Sequence, residues 1–227
     1  MQNVSRFEGL LTGVMCTKAR VVATEALSEH YRRIELQSED GASLHGNPGD
    51  KLQVRVAPWT FRTFTPLAAD TNTHLLCFRH DGESAADAAF AALRAGDRLE
   101  LLGPRRSLPL LDLDGPLVLF GDETSIAVAL ALRTAAPTAK VILEADLRAE
   151  TVALLERLAL RDAIVVQRTQ DDAHLTEVCE HLRAAPGRWV LTGKAQSLQR
   201  LRALLGADKS RIAKTKAYWS VGKRGLD

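Results

Sequence analysis

The hydrophobic positions of the chain change period near its midpoint. Up to about Leu113, apolar and polar residues alternate in short runs separated by turn residues. Tyr31–Gln37 sets Tyr31, Arg33 and Glu35 against Ile34 and Leu36. Lys51–Val56 alternates charged and apolar residues after the turn Asn47-Pro48-Gly49-Asp50. Such alternation lets one face of a strand meet a core while the other meets water. Ala19–Thr24, Thr63–Leu67, His74–Arg79 and Arg98–Leu102 read as further strands, and the Ala-rich run Ala85–Ala95 as a helix. Six short strands and one helix predict a small antiparallel β-barrel.

The switch falls near Leu111–Gly115. After it, Leu117–Phe120, Lys140–Ala145, Ile164–Gln167 and Trp189–Thr192 read as strands. They alternate with helical patterns at Ser125–Ala135, Ala149–Leu160, His174–Ala184 and Ser197–Leu205. Strict alternation predicts an α/β parallel sheet covered on both faces. Two domains are expected, 1–113 and 114–227, the second ending in a basic tail.

Composition narrows the class. The chain has 227 residues, 46% hydrophobic and 26% charged, the balance of a soluble globular protein. A net charge of +2 argues against a nucleic-acid partner. The cations are nevertheless uneven, with Lys209, Arg211, Lys214, Lys216, Lys223 and Arg224 crowding the C-terminus. Cys16, Cys77 and Cys179 are too scattered for a disulfide framework or a thiolate metal cluster. No signal peptide and no membrane-length apolar run are evident. A cytoplasmic monomer without a membrane partner is expected. The six histidines form no ligand set, and His174 and His181 read as surface residues. No Ser/His/Asp or Cys/His set is evident.

Five segments carry candidate chemistry. Arg62-Thr63-Phe64-Thr65 lies on a strand-like stretch. An Arg suits a pyrophosphate, an aromatic covers a ring face, and a Thr offers a hydroxyl near a reactive nitrogen. Together they suit a flavin, although four residues alone are better read as an exposed barrel strand with Phe64 pointing into a core. His80-Asp81-Gly82-Glu83-Ser84 then leads into the Ala-rich helix at Ala85 and Ala86. Gly82 permits close backbone approach, and the unpaired amides of a first turn can hold a phosphate; Ser84 would also serve as an ordinary N-cap. Gly121-Asp122-Glu123-Thr124-Ser125 follows an apolar strand at the carboxyl edge of the parallel sheet, where α/β folds bind ligands. It is not the G-x-G-x-x-G fingerprint. Asp122 and Glu123 either cap the helix or bond ribose or nicotinamide groups. Gly193-Lys194 ends the last strand on the same edge. Finally, Lys214–Lys223 mixes cations with Tyr218 and Trp219. That segment is either a solvated tail or a cationic, aromatic wall for an anionic ligand.

These segments, in this order, resemble the siderophore-interacting proteins, the FAD-binding branch of the ferredoxin-reductase-like flavoproteins. Arg62–Thr65 resembles the family's R-x-Y-T motif, and His80–Ala92 its H-x-G segment and pyrophosphate helix. Gly96-Asp97 and Gly103-Pro104-Arg105 resemble its G-D and G-P-R turns. Gly121–Thr124 matches its G-D-E-T, the most specific local match. Trp189–Gly193 resembles W-x-A-G, and Tyr218–Gly222 the terminal Y-W-x-x-G. There are departures: Phe64 for Tyr, Leu67 for a second Arg, Arg106 for Gly, Lys194 for Glu, and no Trp in the helix after Ser84. The resemblance implies a two-domain reductase, with FAD held by Arg62–Thr65, His80, Gly82, Ser84, Ala85 and Ala86. NADPH or NADH would lie on Gly121–Ser125, Gly193 and Lys194. A ferric siderophore would meet Lys214, Lys216, Tyr218, Trp219, Lys223 and Arg224. Flavin reductases with another acceptor, and a binding protein without turnover, are the alternatives.

Overall fold

The computed structural model describes residues 16–58, 60–79 and 85–222. The chain divides into two compact units, Met1–Ser107 and Leu108–Asp227. The division lies a few residues before Leu113.

The first unit contains β1 (Thr17–Ala26), β2 (Tyr31–Ser38), β3 (Lys51–Ala57), β4 (Thr60–Phe64), β5 (Leu67–Ala69), β6 (Asn72–Phe78), helix α1 (Ala85–Ala92) and β7 (Arg98–Arg105). The strands form one antiparallel sheet in the order β4-β3-β7-β1-β2-β6-β5. It is barrel-like but not closed, so β4 and β5 are its two ends. Alternation sends Ala19, Val21, Ile34, Leu36, Leu52, Val54, Leu75 and Leu101 inward as one apolar cluster. The single strand expected at Thr63–Leu67 is two strands. Pro66 has no N–H to give a ladder and holds Thr65 out of it, so pairing stops at Phe64 and resumes at Leu67.

Helix α1 ends at Ala92, earlier than its Ala content suggests, and Arg32 on β2 caps its carbonyl end. The guanidinium donates to Phe90 O at 3.3 Å, Ala91 O at 2.5 Å and Leu93 O at 2.9 Å. A cation at a helix C-terminus also opposes the helix dipole.

The second unit contains β8 (Leu117–Gly121), α2 (Ile126–Ala135), β9 (Lys140–Ala145), α3 (Arg148–Arg157), β10 (Ile164–Gln167), α4 (His174–Ala184), β11 (Arg188–Lys194), α5 (Ala195–Leu205) and β12 (Ile212–Trp219). All five strands are parallel, in the order β10-β9-β8-β11-β12. Every residue of β8 is buried, as a strand covered on both faces requires. The α4 and α5 face packs Leu175, Val178, Leu182, Leu198, Leu201 and Leu205 onto Phe120, Trp189 and Leu191. The Arg211 guanidinium stacks 4.3 Å from the Trp189 ring centre.

The basic tail expected at Lys214–Lys223 is a strand as far as Trp219. Ile212 and Ala217 pack on the core, and β12 pairs with β11 as the end of the sheet. Charged Lys214 and Lys216 masked that periodicity. Lysines are also what a sheet end uses to discourage pairing with another chain. Among the described residues, no helix is long and apolar enough to cross a membrane.

All three thiols are free, Cys16 half-buried and the others buried. Burial pushes Cys77 up to about 12 and also raises Cys179. Cys16 is raised as well, by burial and then by Glu100. Since the thiolate is the reactive form, disulfide-exchange titration of the native protein at about pH 8 is expected to find one accessible thiol, Cys16. Cys77 and Cys179 should react only after denaturant is added. Fast reaction of Cys77 in the native protein would contradict this packing.

Candidate functional site

Where two parallel strands hand over to their helices, the backbone turns sharply and its amides need partners. At the end of β8 that partner is Asp122, which is fully buried. Its Oδ1 accepts the Thr124 N–H at 2.9 Å and the Thr124 hydroxyl at 2.5 Å, as a capping carboxylate does. Its Oδ2 accepts the indole N–H of Trp219, at the end of β12, at 2.7 Å. The capping role weighed for this carboxylate is therefore the one it fills.

Gly193, at the end of β11, makes that arrangement possible. Its φ of +105° favours glycine, and a Cβ there would stand 2.6 Å from Asp122 Oδ2. Gly121 is closed in similarly, since a Cβ would meet the Ser125 side chain and Thr192 Oγ1. Thr192 Oγ1 in turn lies 3.1 Å from the Phe120 carbonyl and 2.9 Å from Ser125 Oγ. Of the seven residues expected to hold a pyridine nucleotide, Gly121, Asp122, Glu123, Ser125 and Gly193 are buried. They build the floor of the sheet edge. Thr124 and Lys194 are half-exposed above it, and Lys194 Nζ sits 5.8 Å from the Trp219 ring centre. The structure thus joins Trp219, expected at the substrate, to residues expected at the nucleotide.

Glu123 opens a second network. It is buried, accepts the Asp146 N–H at 2.6 Å and pairs with Arg168 at 2.7 Å. Burial raises its pKa against the opposing pull of Arg168. Arg168, 5% exposed, also pairs with Asp146 and approaches Glu144 at 3.6 Å. Burial alone would lower the Arg168 pKa, but Glu123 and Glu144 outweigh it and raise it. Glu144 meets His174 Nε2 at 2.6 Å, while His174 Nδ1 accepts the Thr169 N–H at 3.2 Å. That pairing makes Nε2 the donor to Glu144. His174, expected on the surface, is buried because Glu144 needs it. The signal was present: a carboxylate inside the apolar run Lys140–Ala145 demands a buried partner.

In the first unit, Arg62 and Phe64 stand on one face of the end strand β4, opposite Val54 and Leu52 of β3. Phe64 is half-buried and meets Phe90 of α1 edge-on, with ring centres 5.0 Å apart. Its contacts are thus partly those of a core residue. Thr63 is exposed and Thr65 follows the strand. Ala85 and Ala86 begin α1, so the helix start belongs to the element that Phe64 touches. His80, Gly82 and Ser84, like Lys223 and Arg224, lie outside the described residues. A groove of about 620 Å³ opens elsewhere in this unit, but its Arg55 and Arg98 are paired with Glu100 and Glu39. Lys214, Lys216 and Tyr218 are half-exposed on β12, with the two lysines in register with Val190 and Thr192. Among the described residues, no cluster of His, Cys, Asp or Glu could hold a metal ion.

No protein-family model and no curated protein sequence matches the chain. Solved structures do. The siderophore-interacting protein of Acinetobacter baumannii is 14% identical, with 92% of each chain covered and a TM-score of 0.72. A siderophore utilization protein from T. fusca is 20% identical over 93% of this chain and 95% of that one, with a TM-score of 0.68. The fold is that of the ferredoxin reductases. A ferredoxin-NADP+ reductase variant from Plasmodium falciparum shares it at 10% identity, with 89% and 96% of the two chains covered and a TM-score of 0.65.

Gly193→Ala tests the floor of the edge. The left-handed backbone costs roughly 1–3 kcal/mol for a residue with a side chain, and the Cβ must displace Asp122. A lowered denaturation midpoint together with changed tryptophan fluorescence is expected. An unchanged midpoint would show that Asp122 is not held against Gly193.

Proposed function

We propose that the protein is a flavin-dependent reductase that passes electrons from NAD(P)H through FAD to a ferric siderophore. The observation supporting it is whole-chain: an antiparallel unit followed by a parallel one, matched end to end by the Acinetobacter siderophore-interacting protein. The residues present fit FAD. Arg62 and Phe64 share one face of β4, and Phe64 contacts α1. The carbonyl end of that helix is neutralised by Arg32, and its amide end is the pole that suits a pyrophosphate.

In this reading Arg62 holds phosphate charge, Phe64 covers the ring system, and Thr63 and Thr65 line the strand beside it. FAD, when bound, supplies the conversion of a two-electron donor into one-electron deliveries that no side chain can perform. The second unit holds the donor above its carboxyl edge, over the amides from Gly121 to Ser125, with Thr124 and Lys194 as its exposed contacts. Asp122 holds Trp219, and so the end of β12, at that edge. One hydride carries two electrons, and each Fe(III) takes one. Fe(II) is held less firmly by hard oxygen donors, so the chelate releases its iron. No side-chain acid or base is required. The acceptor need only approach closely, and Lys214 and Lys216 with Tyr218 and Trp219 would receive an anionic chelate. A reductase with another acceptor is the second reading, favoured by the likeness to ferredoxin-NADP+ reductase; an acceptor panel separates the two.

Arg62→Ala is expected to purify with most of its flavin absorbance lost, while thermal stability of the apoprotein holds. Full flavin content in that variant would remove Arg62 from the phosphate site.

Replacing Lys214 and Lys216 together by Ala is expected to raise the apparent KM for an anionic ferric chelate several-fold at low salt. Steering of this kind is screened within about 8–10 Å at physiological ionic strength. Wild type and variant should therefore converge as salt rises. Equal KM values at low salt would leave the lysines as sheet-end protection only.

A further inference from the structure

We propose that the second unit discriminates against a 2′-phosphate, so that its donor is NADH rather than NADPH. The inference rests on the nucleotide site proposed above and concerns the adenosine end of that site. In nucleotide-binding parallel sheets, the adenosine ribose is read by an acidic residue at the end of the second strand, or by an arginine there when a 2′-phosphate is present. The second strand of this unit is β9. It pairs with β8 and β10, and it ends in Ala145 with Asp146 next.

Both residue types are present at that position, but they are not equally available. Arg168, the cation at the end of β10, is 5% exposed. Three carboxylates surround it: Glu123 at 2.7 Å, Glu144 at 3.6 Å, and Asp146. Its Nη1 donates to Asp146 and its Nη2 to Glu123, while its buried Nε faces Glu144 without a hydrogen bond. A phosphate recruiting it from the buried side would strand Glu123 and Glu144, and from the exposed side it would have to displace Asp146. Arg148, two residues beyond Asp146, is exposed at the start of α3, but its Nε donates to Val165 O at 2.8 Å, back along β10. The remaining titratable neighbour, His174, is turned inward to Glu144.

Asp146 is different. One of its carboxylate oxygens is on Arg168, yet its side chain is 57% exposed and its backbone N–H is held by Glu123 at 2.6 Å, so its position is set while the carboxylate still borders solvent. A ribose 2′-hydroxyl can donate to that carboxylate in a charge-assisted bond. A 2′-phosphate has no proton to offer there and brings about two negative charges to a carboxylate-rich edge.

The experiment is calorimetric titration of the purified protein with ADP-ribose and with 2′-phospho-ADP-ribose at equal ionic strength. Anaerobic flavin reduction by NADH and NADPH is measured alongside. ADP-ribose is expected to bind at least about tenfold more tightly, since juxtaposed like charges cost more than the ~1.4 kcal/mol this represents. Asp146→Asn is expected to narrow the gap by weakening ADP-ribose and admitting the phosphorylated form. Equal or tighter binding of 2′-phospho-ADP-ribose overturns the proposal and leaves the nucleotide site standing. If neither compound binds, the nucleotide site falls and this inference falls with it.

Discussion

A carboxylate with no exposed surface must be satisfied by protein donors or it costs several kcal/mol. Asp122 is such a group, and much of the second unit's edge is arranged to meet its demand. One oxygen takes the turn into α2 and the other takes Trp219 from the far end of the sheet. Satisfying it requires that β11 come close, which only glycine at 193 permits. Three strands, β8, β11 and β12, are thereby tied together at the point where α/β sheets present ligands. G-D-E-T at 121–124, Gly193 and Trp219 are far apart in sequence but form one structural unit.

The first unit follows the same logic with the charges reversed. Arg32 projects from β2 onto carbonyls that end α1, and the helix stops where the guanidinium takes them. Phe64 and Phe90 hold that helix to the strand that carries Arg62. Helix and strand arginine are thus positioned by contacts made within the unit itself. Short elements need this kind of support, because an eight-residue helix is marginal without packing.

Periodicity made the fold legible. Alternation marked the antiparallel strands and continuous apolar runs marked the parallel ones, because each reports how many faces of a strand are covered. It failed where another demand overrode the pattern. Pro66 split one strand in two, and lysines hid β12 behind the appearance of a tail. Of the candidate site, local capping chemistry at Asp122 was readable, because Thr124 and Ser125 lie within one turn of it. The bonds from Asp122 to Trp219 and from Glu144 to His174 were not, because they join residues 97 and 30 positions apart. A buried charge announces that it needs a partner without saying which one.

The lysines of β12 show how a structural requirement and a functional one can share residues. An end strand with unpaired backbone groups gains protection from Lys214 and Lys216 whatever the protein does. Their presence is therefore no argument for an anionic acceptor. Trp219 needs a different account, because nothing about an end strand calls for an indole bonded to a buried carboxylate where α/β sheets present ligands. An aromatic so placed is expensive to position: it requires Asp122 to be buried and Gly193 to be left-handed. The case for chemistry at this edge therefore rests on Trp219 and its support, with the lysines contributing only what their salt dependence can reveal.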